Sequence, residues 1–321
     1  MACLAEGQTL EPYSDADRVG SAVPAVDPGP ERRECTVPFS TKDRIALVGA
    51  GAMGAPVVGH LVRAGFPVTV CDLNADRRAG AEAVGARSTS TVDDLGDCRV
   101  ALVMVPTDDD VRLVAGRYGA VAPAGAVLVI SSSVETATCL AIEEDLRPRG
   151  IRVVDAALTG GIRGAVAGQL DLLVGGSDAD VADLAAVFAP WSRRVNHLGP
   201  LGTGQVGKTV GNLIHWGEIV VLAEALSLGA ELGVPVSVMR PVLEDGPADS
   251  RTLRELQEMR FTWYEKDIDI AVRMAATVDR ELVLSTFVQR LMRDIDVPKM
   301  AALLADRGTI ELTGALQAAR H

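Results

Sequence analysis

Apolar positions fall into two textures along the chain. From Asp43 onward, short aliphatic and β-branched runs recur: RIALVG at 44–49, PVTVCD at 67–72, RVALVMV at 99–105, AVLVIS at 126–131 and IRVVDA at 151–156. A stretch of helical spacing separates each run from the next. Strands this continuously apolar are covered on both faces, as happens when crossover helices flank a parallel sheet. The pattern therefore predicts an α/β fold with a doubly wound parallel sheet of Rossmann type. Two more runs, QLDLLVG at 169–175 and RRVNHLG at 193–199, bracket a helical segment and extend the sheet.

After about Gly204 the strand pattern stops, and 3.6-residue spacing takes over in VSVMRPVLE, RTLRELQEMR, DIDIAVRMAATV and LVLSTFVQRLMRDI. This predicts a C-terminal all-α domain. The segment from about 205 to 232 is long and apolar on more than one side, as expected of a core helix joining the two domains. Residues 1–42 hold Pro12, Pro24, Pro28, Pro30 and Pro38 and no regular period. They predict a flexible extension, either a partner-binding arm or a solvated tail. The expected division is 1–42 extension, 43–203 dinucleotide-binding domain and 204–321 helical substrate and oligomerisation domain.

Composition narrows the function classes. With 48% hydrophobic and 23% charged residues the chain is an ordinary globular protein, and its net charge of −12 argues against a nucleic-acid partner. The five cysteines form no C-x-x-C pair, which fits a reducing cytoplasm. No run of about 18 consecutive apolar residues and no signal-peptide pattern is seen, so no membrane association is expected. No Cys/His cluster or H-E-x-x-H exists, so no catalytic metal is expected.

The first strand runs straight into Gly49-Ala50-Gly51-Ala52-Met53-Gly54, a G-x-G-x-x-G followed by a helix. Gly49 allows the tight turn, Gly51 lets backbone N–H groups approach a pyrophosphate, and Gly54 lets helix and strand pack closely. The helix N-terminus then faces the anion. The second strand ends at Asp72, which is placed to accept ribose hydroxyls and favours NAD; Arg77 and Arg78 nearby keep NADP open. Val105, Pro106 and Ser133 lie on the carboxyl rim of later strands, where such a fold binds its ligand. Ser133 reads equally as a nicotinamide or ribose contact and as a helix cap, and Asp108 as a helix N-cap.

Lys208 and Asn212 stand one turn apart on one face of the long helix, with His215 on the same side. A lysine among apolar residues titrates downward unless paired. Hydride transfer from an alcohol carbon needs a group that takes the hydroxyl proton and a neighbour that holds the oxygen. Lys208 and Asn212 match those needs.

From Asp43 to the C-terminus the chain resembles the β-hydroxyacid dehydrogenase family, which includes 3-hydroxyisobutyrate dehydrogenase, tartronate semialdehyde reductase and 6-phosphogluconate dehydrogenase. Four landmarks occur in the family's order: GAGAMG at 49–54, DAALTGGIRGAVAGQL at 155–170, GTGQVGKTVGN at 202–212 and Lys266-Asp267. The resemblance implies an NAD- or NADP-linked dehydrogenase of a small 3-hydroxy acid, acting as a homodimer or homotetramer. It implies Lys208 as general acid/base and Asn212 as substrate-orienting. Thr159, Gly160 and Gly161 would bind the substrate carboxylate, and Lys266 would face cofactor and substrate. Thr159 replaces the family's usual serine, and Ile130 stands where many members carry Asp. In the decarboxylating branch a glutamate occupies the position of His215, so His215 is either a pocket residue contacting substrate or a packed helix histidine. The alternatives are an imine reductase, a decarboxylating 6-phosphogluconate-type enzyme and a non-catalytic nucleotide-binding protein. Imine reductases usually lack a lysine at this position.

Overall fold

The structure is a computed structural model and describes residues 38–313. Eight strands form one sheet: β1 (Ile45–Val48), β2 (Val68–Cys71), β3 (Arg87–Thr89), β4 (Val100–Val103), β5 (Val127–Ile130), β6 (Arg152–Thr159), β7 (Leu170–Gly175) and β8 (Ser192–Gly199). Their spatial order is β3-β2-β1-β4-β5-β6-β7-β8. Helices α1 (Gly54–Arg63), α2 (Ala75–Ala83), α3 (Asp108–Val121), α4 (Thr136–Leu146), α5 (Gly161–Ala167), α6 (Asp178–Asp183) and α7 (Ala185–Phe188) accompany the strands. Then come α8 (Thr203–Glu231), α9 (Val236–Glu244), α10 (Arg251–Arg254), α11 (Tyr264–Ala276), α12 (Val283–Leu291) and α13 (Val297–Leu304).

The central strands β1, β2, β4 and β5 are buried along their whole length, as their uninterrupted apolar runs require. One core lies on each sheet face, the first around Leu47, Leu61 and Trp191 and the second around Leu102's neighbours Ala101 and Val103 with Tyr118 and Ile142. A third core gathers Trp216, Ile219, Leu226 and Leu256 with Ile268 and Met292 from the helices that follow.

Three details depart from the sequence expectation. The short edge strand β3 is polar and half exposed, so it carries no apolar run to betray it. The sheet is mostly parallel, but β7 pairs antiparallel with β6. A parallel crossover needs a dozen or more residues, and only the stretch around the seven-residue α5 links these two strands. RTLRELQEMR forms one α-turn and a 3₁₀ turn instead of a single helix.

The reversal at β7 matters for the site. β8 runs with β7, so the chain returns down the sheet and α8 starts level with Asp155 in mid-β6, then passes the rim where β5 ends. By length and mean hydropathy (1.4) α8 could cross a membrane, which a count of consecutive apolar residues had not signalled. Its inward face carries the third core instead. The expected 1–42 extension lies outside the described residues as far as residue 37. Of its last residues, Phe39 is buried, with the Arg99 and Arg152 guanidinium groups 5.1 and 5.6 Å from its ring centre.

Candidate active site

The glycine loop is built as its spacing predicts. Gly49 takes φ 95°, and a Cβ there would lie 2.4 Å from the Met104 carbonyl oxygen. A Cβ on Gly54 would lie 2.2 Å from the Gly49 carbonyl oxygen. Gly51 has no atom within 4 Å of where its Cβ would stand, so its outer side is open. Met53 sits at the N-cap of α1 without a side-chain cap, while the Ala55 N–H of the first turn donates to the Gly51 carbonyl at 3.0 Å. An open glycine beside an uncapped helix start fits a dinucleotide pyrophosphate. Gly51→Ala is therefore expected to keep the melting temperature but weaken NAD binding about tenfold, and Gly49→Ala to lower stability by about 2 kcal/mol or more through its backbone clash. Calorimetry and titration with NAD separate the two effects.

Asp72 is buried at the end of β2. One carboxylate oxygen accepts from the Ala50 N–H and the other from the Asn74 N–H, both at 2.8 Å, so the side chain braces the glycine loop from below. Arg77 Nη1 stands 3.5 Å away, and Arg78 donates to the Asp72 carbonyl at 2.8 Å. Both guanidinium groups thus flank the end of β2 beside Asp72.

On the rim, the Val105 N–H donates to Ser132 Oγ at 2.9 Å. Thr107, not Asp108, caps α3, accepting from the Asp110 N–H at 3.1 Å, because the residue before the first helical one has the extended backbone a cap requires. Asp108 instead accepts from the Glu135 N–H and Thr138 Oγ1. Ser133 caps no helix, since α4 starts at Thr136 with Glu135 before it.

Ser133 faces a small cleft with Val134, Gln205, Lys208, Thr209, Asn212, Asp267 and Ile270. Three pieces of backbone meet there: the loop after β5, the first turns of α8, and the start of α11. Lys208 is partly buried and makes no hydrogen bond or ion pair with the described residues. Burial lowers its ammonium pKa below the usual lysine range, and the Asp267 charge pulls the other way. Burial raises the Asp267 carboxyl, while Lys208 and hydrogen bonds from Trp216 and Asn212 oppose that rise. Trp216 Nε1 donates to Asp267 at 3.1 Å. Asp267 thus ties α11 to α8 through Trp216 and sets the field at Lys208.

Lys266 reaches across to donate to the Pro106 carbonyl at 2.6 Å, joining α11 to the β4 rim. His215 is outside the cleft lining. Its Nδ1 lies 3.0 Å from Thr252 Oγ1 and its ring stacks 4.9 Å from Trp216. Burial and the Lys208 charge lower its pKa, favouring the neutral ring. Thr159, Gly160 and Gly161 stand at the end of β6, with both glycines in the left-handed region (φ 109° and 61°), and do not line the cleft around Lys208.

Two residues given no role from the sequence hold this arrangement. Asp155, fully buried, accepts from the Gly202 N–H at 2.6 Å and the Gln205 N–H at 2.8 Å, pinning the start of α8 to β6. Gln205 accepts from the Val134 N–H at 3.2 Å and donates to the Ser132 carbonyl at 2.9 Å, clamping the serine loop to the helix that carries Lys208. A carboxylate inside the apolar run IRVVDA was the available signal for the first. Nothing marked the second.

Known proteins match the chain over both its strand-rich and its helical part. Residues 44–199 match the family model described as the NAD binding domain of 6-phosphogluconate dehydrogenase. Residues 202–306 match that described as the NAD-binding of NADP-dependent 3-hydroxyisobutyrate dehydrogenase. An NAD-dependent L-serine dehydrogenase of Pseudomonas aeruginosa is 31% identical, the match covering 62% of this chain and 68% of that one. A 2-(hydroxymethyl)glutarate dehydrogenase of Eubacterium barkeri is 31% identical with the same coverage, 62% and 68%. Among solved structures, a Mycobacterium tuberculosis 3-hydroxyisobutyrate dehydrogenase with L-serine shares the fold, with a TM-score of 0.72 at 22% identity over 87% of this chain and 99% of that one.

Proposed function

This chain belongs to the β-hydroxyacid dehydrogenase family, as an NAD(P)-dependent dehydrogenase acting on the CH–OH group, and from that premise we propose that it oxidises a small 3-hydroxy acid of the 3-hydroxyisobutyrate kind with Lys208 as general acid/base. The observation that carries the reading is the Lys208 amine, unpaired and depressed by burial, in one cleft with Ser133, Asn212 and Asp267.

In oxidation, the neutral Lys208 amine takes the hydroxyl proton as the carbonyl forms; in reduction, the ammonium returns it. The Asn212 amide, in the same cleft as Asp267, holds the substrate oxygen in line. Thr159, Gly160 and Gly161, at the end of β6 beyond the lining of the Lys208 cleft, take the substrate carboxylate in this reading, an assignment supported by the family pattern. Lys266, held to the Pro106 carbonyl, closes the helical side against the cofactor rim. NAD(P), with its pyrophosphate at the glycine loop, would supply the nicotinamide that takes up or returns the hydride. His215 stands behind Asn212, and its contact with Thr252 supports a packing role more than a substrate contact.

The test is a screen for NADH formation over 3-hydroxyisobutyrate, L-serine and other short 3-hydroxy acids, repeated with NADP and with Lys208→Ala. Turnover of at least one acid, lost in the variant, is expected. No turnover with any acid and either cofactor would sink the reading.

Val206, Val210, Ile214, Val221 and Leu228 are all exposed and recur on one face of α8. We place a second copy of the chain against that stripe. Light scattering is expected to give a mass above the 33.6 kDa of one chain, and Val221→Glu to lower it toward that value. Cys71, Cys98 and Cys139 are buried and free, which supports a reducing, cytoplasmic setting.

A further inference from the structure

Helix α5 follows directly on Thr159–Gly161 and has only seven residues. So short a helix does not hold itself in place. Its support comes from a distant part of the chain. His60, in the last turn of α1, sets Nε2 against the Ala165 and Val166 carbonyl oxygens at 3.0 and 3.1 Å. Carbonyls only accept, so Nε2 carries the hydrogen, and Nδ1 is left to accept from Arg63 Nη2 at 2.7 Å. Both ring nitrogens are committed. The backbone of α5 is shaped to admit the ring: at Gly168 (φ 66°) a Cβ would stand 2.8 Å from His60 Cε1.

Helix α1 is the one that opens on the glycine loop. One imidazole therefore joins the cofactor-loop helix to the helix that continues from Thr159–Gly161. On the opposite side, Arg163 of α5 pairs with Glu255 at 2.5 Å and with Glu258, both in the segment after α9.

We propose that His60 is a positioning residue for the substrate carboxylate. It fixes the carbonyl end of α5 and thereby sets the direction in which Thr159, Gly160 and Gly161 present their donors. The proposal rests on the assignment of that segment to the carboxylate.

The experiment compares His60→Leu, His60→Gln and Thr159→Val in the full chain, using 3-hydroxyisobutyrate and L-serine as probes. Gln keeps an N–H donor near the place of Nε2. His60→Leu is expected to raise KM for the acid about tenfold or more, with NAD affinity unchanged, and His60→Gln to recover most of the loss. Hydrogen exchange of the 164–168 amides should quicken in His60→Leu and return in His60→Gln. An unchanged KM in His60→Leu, beside a raised one in Thr159→Val, overturns the role of His60 and leaves the carboxylate assignment standing. No rise in either variant, or no turnover of either probe by the unaltered protein, overturns both. Should His60→Leu fail to fold, His60→Asn, whose shorter side chain falls short of the Ala165 and Val166 carbonyls, decides: a raised KM with normal melting supports the proposal, and an unchanged KM overturns it.

Discussion

Lys208→Ala is expected to lower kcat by about 10²–10⁴-fold, the range a positioned proton acceptor supplies, while NAD affinity holds. Lys208→Arg should do no better, because a guanidinium keeps its proton at every working pH. The pH dependence has a definite sign. Oxidation needs the neutral amine, and burial moves the Lys208 pKa below its usual 10.5. The oxidation rate should therefore climb with pH to a plateau whose midpoint lies under 10.5, and the reduction rate should fall over the same interval. Asp267 opposes the depression, so Asp267→Asn should slide the midpoint further down. Rate profiles of the unaltered enzyme and of Asp267→Asn check both statements, and a midpoint that Asp267→Asn leaves in place would contradict the electrostatic account.

Asp155→Ala should be the most damaging change away from the cleft. It strands the Gly202 and Gln205 N–H groups inside the protein, at about 1–3 kcal/mol for each buried donor left without a partner. Activity should fall with stability, since α8 would lose its seat on β6. Burial pushes the Asp155 carboxyl up to about 6, even against the N–H groups it accepts from. A carboxyl raised on folding binds its proton more tightly in the folded chain. Its contribution is complete below about 4, the unfolded value, and is lost as pH rises through about 6. The stability gap between the unaltered protein and Asp155→Asn should narrow across that window in urea melts. A gap that widens instead would show that the carboxylate is favoured where it sits.

The parts of this molecule that sequence reveals are those fixed by local rules. Continuous apolar runs could only be strands covered on both faces, and Gly49 and Gly54 stand where a Cβ would strike backbone, as their spacing announced. Lys208 stood out because a charge among apolar helical positions is costly. What escaped depended on distant partners. Arg87–Thr89 is a strand only because β2 lies beside it. The reversal of β7 follows from a connection too short to cross over. Gln205 looks like any polar residue in a first helical turn until the loop after β5 is folded against it. Asp267 was visible beside Lys266, but its hold on Trp216 is made between helices and leaves no trace in spacing.

The 29 residues of α8 form one rod about 43 Å long. It leans on β6 and β7 as well as on α9, α11 and α12. No loose joint separates the layer of strands from the cluster of helices, because the same rod is a wall of each. Melting either one would strip the other of a wall. Heating should accordingly produce a single calorimetric peak, with all three cores lost together as one cooperative unit.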